Sequence, residues 1–411
     1  MLSNGATVLV KTSLTTPAVT VNVALRAGSV CDPADRLGLV NLFSKVIDRG
    51  TTARTAEEIA ELLDARGVSL NVNVTRHTLG ATCTCLSADF RAVLEIVADS
   101  IRNAVCPDDE VQTRRGEMLT IIRQDEDNPA VRAAERLMAL LYGARHPYGR
   151  LSKGTIETVN TIGRNDLLSY HRRFITPSAL SLVVVGDVGA EQAVDLAAQV
   201  FGDWQAADPA DQGLPVPERH VERRRVVLPM LNKAQADIAY GFTTIVRSDP
   251  AYYAYWIMNN ILGQYGMGGR LGQRIREQQG MAYYAFSSFE ANVLPGPLVI
   301  RAGVSGANVD RAVASIDEEA ARMAAHGISD QELADSKRYL IGSLPRTLET
   351  NAGIAAFLQS VQQFDLGLDY DVRLPGLLEA VSRDEVVDAA RATLVPARAC
   401  LVIAGPYGES S

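Results

Sequence analysis

A chain of 411 residues exceeds one ordinary core, since domains run to about 150 residues, and it points to two or three domains. Apolar residues make up 47% and charged residues 21%, a globular balance that excludes a peptide-like or disordered protein. The 48 acidic and 40 basic residues leave a net charge of -8, which disfavours nucleic acid and anionic membrane as partners. No basic segment precedes an apolar run at Met1-Leu2-Ser3-Asn4, and Lys11 interrupts the one candidate leader. No apolar stretch is long enough to span a bilayer. Cys31, Cys83, Cys85, Cys106 and Cys400 are too scattered for a disulfide framework, so a reducing, cytoplasmic setting is expected.

Residues 6–11 and 19–25 alternate in polarity on either side of Thr15-Thr16-Pro17, and the period of two predicts an antiparallel strand pair. Helical spacing follows over 37–48 and over 56–66, the second opened by Thr55-Ala56-Glu57-Glu58 as a capping box and closed by Gly67. Val68, Leu70, Val72 and Val74 alternate with polar residues, as do Leu79, Ala81, Cys83 and Cys85, which predicts another antiparallel pair in the same sheet. Phe90, Val93, Leu94, Val97 and Ile101 recur at helical spacing, and Pro107-Asp108-Asp109-Glu110 opens a further long helix. Runs of strands alternate with runs of helices, which is the α+β pattern.

The chain also repeats itself. Residues 174–186 and 394–405 each run from a Pro-led approach into an apolar strand that ends in Gly, and Gly186 and Gly405 stand 219 residues apart (405 less 186). Self-similarity near half the chain length predicts two related domains in tandem. The boundary falls in the Pro-, Asp-, Gln- and Gly-rich stretch 206–217, giving domains over 1–205 and 223–411 with a linker over 206–222. Arg223-Arg224-Arg225 follows acidic Glu222 and stands directly before a Val-Val-Leu strand, so it reads as a solvated strand entry rather than a nucleic-acid patch.

Over 37–48 the apolar Leu39, Val40, Phe43, Val46 and Ile47 leave Asn41, Ser44, Lys45 and Asp48 on the other face of the helix. Periodicity alone would fit a plain amphipathic core helix equally well. The run 38–51 and the following Arg54-Thr55-Ala56 resemble the M16 peptidase family, the insulinase and mitochondrial-processing-peptidase group. Arg26-Ala27-Gly28-Ser29, His146-Pro147-Tyr148-Gly149, Gly186-Asp187-Val188 and Lys233-Ala234-Gln235 extend the likeness over nearly the whole chain. It implies two homologous domains of the LuxS/MPP-like metallohydrolase fold, each a mostly antiparallel sheet with helices on one face. Family members that cleave peptides carry an inverted H-x-x-E-H motif here, with zinc on the two histidines and the glutamate polarising a water. The matching positions hold Asn41, Ser44 and Lys45, and the position of the third ligand, a glutamate on a later helix, holds Ile121. An amide is a poor zinc ligand, an ammonium repels a divalent cation, and a lone hydroxyl cannot act as general base. The resemblance therefore implies an M16B-type chain with no metal and no catalytic residues of its own.

Gly263-Gln264-Tyr265-Gly266-Met267-Gly268-Gly269 leads into a helix closed by Gly280, and residues 282–286 read as a strand. The segment lacks the Lys-Ser/Thr of a P-loop and the G-x-G-x-x-G spacing, which argues against nucleotide binding. In the resemblance, the loop carrying Gly266, Gly268 and Gly269 approaches substrate backbone, while Arg276 and Tyr283 look like the family's C-terminal Arg/Tyr pair. Such a pair can donate to a peptide carbonyl and to the oxyanion that forms when water attacks it. Taken alone, the two would be an exposed helical Arg and an ordinary strand Tyr, and Arg270 and Arg274 read as helix-surface or interface charges. Of the five histidines, only His77 comes near a metal motif, with Cys83 and Cys85, and small buried cysteines are the simpler reading there. His171 reads as a surface or domain-contact residue.

Three functions follow. The leading one is a non-catalytic subunit that lends Arg276 and Tyr283 to a peptide-cleaving site whose zinc sits in an H-x-x-E-H partner, as a heterodimer, or a homodimer when the chain is isolated. The second is a structural or peptide-binding scaffold without proteolysis. The third, an independent hydrolase, finds no Ser/His/Asp or Cys/His grouping to support it.

Overall fold

The computed structural model describes residues 1–205, 213–218, 220–264 and 268–408. Gly266 and much of the expected linker therefore lie outside the described residues. The chain forms two compact units, each around a five-stranded sheet. In the first, β1 (Thr7–Thr12), β2 (Ala18–Leu25), β3 (Asn71–Val74), β4 (Leu79–Leu86) and β5 (Leu180–Gly186) lie in the order β1-β5-β2-β4-β3. In the second, β6 (Arg224–Pro229), β7 (Ala236–Thr243), β8 (Ala282–Phe289), β9 (Pro297–Val304) and β10 (Cys400–Gly405) lie in the order β6-β10-β7-β9-β8. The two orders coincide once each strand is matched to its counterpart five places on. The internal repeat supplies the equivalent strands β5 and β10, each preceded by a Pro-led 3-10 turn and ended by a glycine at φ 144 or 136.

Residues 6–11 and 19–25 do form strands, but they are not partners. β5 lies between them, parallel to β1 with Thr7 opposite Ser181 and antiparallel to β2 with Leu25 opposite Leu180. The reason is hydrophobic. Leu182, Val183, Val184 and Val185 are all fully buried, so β5 needs cover on both faces and a neighbour at each edge, which a simple hairpin of β1 and β2 would deny it.

Leu182 and Val184 join the main core with Phe43, Val93, Leu94 and Phe201. Val183 and Val185 face the other way, onto Ala355, Ile354 and Leu358 of the helix Asn351–Gln363. That helix comes from the second half of the chain, and Asn351 fastens its start by donating to the Ala18 carbonyl at 3.1 Å. The second unit shows the reciprocal arrangement. The helix Pro129–Tyr142, from the first half, lies on β7 and β10 and buries Ala133, Leu137 and Leu141, spaced four apart on one face. Its approach is close: a methyl group on Gly241 would stand 3.0 Å from Leu137 Cδ2. The units thus comprise Met1–Arg123, Leu151–Leu214 and Pro345–Leu368, and Gln124–Arg150, Pro215–Leu344 and Asp369–Ser411. They differ from the continuous segments 1–205 and 223–411 by this exchange, which also puts a helix on the second face of each sheet.

Local signals act as their chemistry dictates. Thr55 accepts from the Glu58 amide at 3.2 Å and Glu58 accepts from the Thr55 amide at 2.8 Å, opening the helix Ala56–Asp64. No helix among the described residues is long and apolar enough to cross a membrane.

Leu137→Ala is expected to lower stability by about 2–5 kcal/mol, because it empties the space between the exchanged helix and Gly241. Urea unfolding followed by tryptophan fluorescence and far-UV dichroism measures the loss.

Candidate functional site

The helix expected over 37–48 is confined to Leu39–Ser44. Its start is organised from a distance: buried Asp32 accepts from the Gly38 amide at 2.9 Å and from the Val40 amide at 2.8 Å. A carboxylate there complements both the free amides and the helix dipole. Gly38 has φ 91, and a methyl group on it would meet the Lys153 carbonyl oxygen at 2.5 Å, so glycine is required. Beyond Ser44 the backbone tightens, with the amides of Lys45 and Val46 bonded to the carbonyls of Leu42 and Phe43, while Val46 and Ile47 remain buried.

Asn41, Ser44 and Lys45 are partly buried on this short helix and turn, and Ile121 is partly buried on the helix Asp108–Glu126. The Ser44 hydroxyl is turned onto its own helix, donating to the Asn41 carbonyl at 2.7 Å. An amide, a hydroxyl engaged with the backbone, an ammonium and a hydrocarbon branch do not make a donor set for zinc. Among the described residues, no group of three or more His, Cys, Asp or Glu side chains is placed to hold a metal ion.

Several flanking residues of the M16-like pattern have structural partners. Arg54 and Thr51 both donate to Asp99, the hydroxyl at 2.8 Å. Burial works upward on the Asp99 carboxyl, but donors from Asn103, Thr51 and Arg54 outweigh it and hold its pKa below the ordinary value. His146 accepts from the Tyr148 amide at 3.0 Å through Nδ1 and reaches the Pro215 carbonyl at 2.9 Å through Nε2. His171 is no free surface group: it meets the Ile101 carbonyl at 2.7 Å, rests 5.8 Å from the Phe43 ring, and burial lowers its pKa. His77 is buried, which lowers its pKa to about 4, with Arg76 acting in the same sense. Cys83 and Cys85 point into the apolar core. Arg223 pairs with Asp317 at 2.8 Å, and Arg225 donates to the Tyr407 hydroxyl at 2.6 Å, so two members of the arginine run serve the fold.

In the second unit, a helical turn at Gly269–Leu271 continues as a π-helix over Gly272–Gln278, Gly280 closes it at φ 60, and β8 follows. Arg276 lies on the π-helix, and Tyr283 lies at the start of β8, an edge strand, with 84% of its surface exposed. The guanidinium of Arg276 has one ion pair among the described residues, with exposed Glu277 at 3.6 Å. Such a pair contributes little and leaves the cation available. The glycines before this helix have close neighbours in their own chain. A methyl on Gly263 would stand 2.3 Å from the Ser287 amide nitrogen, one on Gly268 2.4 Å from the Ala285 carbonyl oxygen, and one on Gly269 2.5 Å from the Ile261 carbonyl oxygen. Gly263 and Gly268 thus bring backbone against β8, where a side chain would not fit.

Arg270 departs from the surface role expected for it. Its side chain is 14% exposed and grips Glu332 with two bonds of 2.6 and 2.8 Å, while reaching wholly buried Glu319 at 3.4 Å and the Gly327 carbonyl at 3.1 Å. Arg322 supplies Glu319 with its second cation. Burial works upward on Glu332, but the donors from Arg270 and Ser329 prevail and hold its pKa at about 2. This cluster fastens the start of the helical segment that carries Arg276. Arg274, by contrast, pairs with exposed Glu318. As bare letters of sequence, Arg270, Arg274 and Arg276 are indistinguishable; only burial of the carboxylates separates them.

Residues 7–151 match the family described as Insulinase (Peptidase family M16), and residues 161–340 match the one described as Peptidase M16 inactive domain. A Bacillus subtilis protein named uncharacterized zinc protease YmxG is 26% identical over 347 residues, covering 84% of this chain and 83% of that protein. A Mycobacterium leprae protein, also described as an uncharacterized zinc protease, is 28% identical over 333 residues, covering 80% of this chain and 74% of that one. The crystal structure of a peptidase M16 inactive domain from Pseudomonas fluorescens superposes with a TM-score of 0.91 at 24% identity, over 100% of this chain and 98% of that one. A protease from Helicobacter pylori gives a TM-score of 0.89 at 18% identity, over 98% of each chain.

Removing Arg270 strips a counter-charge from buried Glu319, so Arg270→Ala should lower stability by about 3–5 kcal/mol, whereas Arg276→Ala should stay within about 0.5 kcal/mol, both read by urea unfolding. The Glu332 carboxyl, with an ordinary pKa of 4.5, is depressed in the folded state, so its contribution is present above about pH 4.5 and is lost as the pH falls toward 2. Glu332→Gln should flatten the stability profile in that window.

Proposed function

Since the chain belongs to the M16 peptidase family, as a member of its inactive-domain type, we propose that it is the non-catalytic, substrate-binding subunit of a cytoplasmic, two-subunit zinc peptidase. The zinc and the water-polarising glutamate would belong to a partner chain with an H-x-x-E-H motif. One asymmetry carries the reading. The positions that match the family's metal ligands hold Asn41, Lys45 and Ile121, with Ser44 at the position of the base, and none of these suits zinc or base chemistry. Arg276 and Tyr283, which could act on a peptide, remain accessible in the other unit.

The chemistry assigned to that pair is simple. A guanidinium offers two parallel donors and a phenol one, so together they can fix a peptide carbonyl and stabilise charge that develops on its oxygen. The ion-pair partner of Arg276 among the described residues is exposed Glu277, and Tyr283 projects into solvent. In this reading Gly268 and Gly269 would offer backbone to a substrate strand.

A second reading, a peptide-binding scaffold without proteolysis, draws support from the match of residues 161–340 to the Peptidase M16 inactive domain. Mixing with an H-x-x-E-H chain of the family separates the two. We expect hydrolysis of a fluorogenic peptide that neither chain performs alone, with Arg276→Ala and Tyr283→Phe each lowering kcat by roughly a hundredfold. Activity untouched by Arg276→Ala would remove the proposed role, and binding without hydrolysis in the mixture would favour the scaffold.

A further inference from the structure

The pairing of β8 with β9 is irregular at one place. Ala282 stands opposite Val304 and Tyr284 opposite Gly303, which leaves Tyr283 as an extra residue in the edge strand. Such a β-bulge bends the strand and re-aims the side chain at that point. Because strand side chains alternate with a period of two, taking the extra residue out by a one-place slip would turn every later side chain of β8 to the opposite face. Ala285 and Ser287 would leave the buried side, and Phe286, 38% exposed, would enter it. Something must hold the bulge where it is.

The residue after the bulge does so. The Tyr284 hydroxyl donates to Asp237 on β7, two strands away. To get there, the ring crosses Gly303 of β9, which stands opposite both Tyr284 and Asp237 in the two ladders. A methyl on Gly303 would meet Tyr284 Cε1 at 2.6 Å and the Gln235 amide nitrogen at 2.1 Å, so only glycine leaves the passage open. Asp237 is 5% exposed and also accepts from Gln235, with Arg301 beside it, so the acceptor is fixed in place. Burial pushes the Tyr284 phenol well above its ordinary pKa, which keeps it a donor.

We propose that Tyr284 is a positioning residue for Tyr283: its hydrogen bond to Asp237 across Gly303 locks the bulge that holds the Tyr283 phenol out toward bound peptide. The inference deepens the peptide-contact role given above to Tyr283 and rests on it for its functional arm.

The test is a double-mutant cycle on the full chain, read by the anisotropy of fluorescein-labelled casein, an unfolded probe, together with amide hydrogen exchange over 282–285. Tyr284→Phe should weaken casein binding roughly three- to tenfold and speed exchange at the bulge at least tenfold. In a Tyr283→Ala background, Tyr284→Phe should cause no further loss of binding, which a general loosening of the fold would not reproduce. Gly303→Ala should mimic Tyr284→Phe, and Asp237→Asn, which keeps an acceptor oxygen, should behave nearly as the parent. Additive losses in the cycle, or unchanged exchange in Tyr284→Phe, overturn the inference. If Tyr283→Ala itself leaves casein binding unchanged, the peptide-contact role of Tyr283 fails instead, and exchange alone then decides whether Tyr284 locks the bulge.

Discussion

Water must be kept from both faces of β5 and β10, and the rest of the architecture answers to that requirement. β10 is buried along its length and β5 everywhere but at Ser181, with apolar side chains turned to either side. Each unit's larger helical layer covers one face, as with the core around Phe43 and Leu94. The other face is covered by a helix that the chain delivers from its other half, Asn351–Gln363 to the first unit and Pro129–Tyr142 to the second. The duplicated strand order and the exchanged helices are thus two aspects of one solution to burial, applied twice in a single polypeptide.

The helix at Leu39–Ser44 shows how a fold can keep its frame while the chemistry on it changes. Asp32 at its start, the buried Phe43, Val46 and Ile47 behind it, and the Arg54 to Asp99 pair beyond it hold the backbone through the protein's own contacts. Asn41, Ser44 and Lys45 occupy the partly open side, where a substitution disturbs little packing. Support that is independent of a ligand set makes the replacement of that set tolerable for folding. The same logic applies in reverse around Arg270, whose carboxylate partners bind the local fold together and leave it no liberty to vary.

Signals that act over a few residues are legible from the letters alone. The Thr55 capping box, the glycine stop at Gly280, the long helix after Pro107 and the strand after Gly280 all express local chemistry, and all occur as expected. The repeated Pro-to-Gly strands reveal the duplication for the same reason. What stays hidden depends on partners far along the chain. Insertion of β5 between β1 and β2, exchange of the two helices, and capping by Asp32 of a helix six residues on have no local signature. The bulge at Tyr283 is concealed as well, because Ala282-Tyr283-Tyr284 carries no glycine to announce it. At the site, residue types could be assigned by likeness to a family, but the separate fates of Arg270 and Arg276 follow from Glu319 and Glu332 lying far away in sequence.

The exchanged helix has a consequence for biosynthesis. As the polypeptide leaves the ribosome, the sheet of the first unit can assemble once residue 186 is out, yet Val183 and Val185 must wait for Ala355, about 170 residues later. At roughly 5–20 residues per second, that sheet remains greasy on one side for about ten to thirty seconds, a long time for a nascent chain to go without a chaperone.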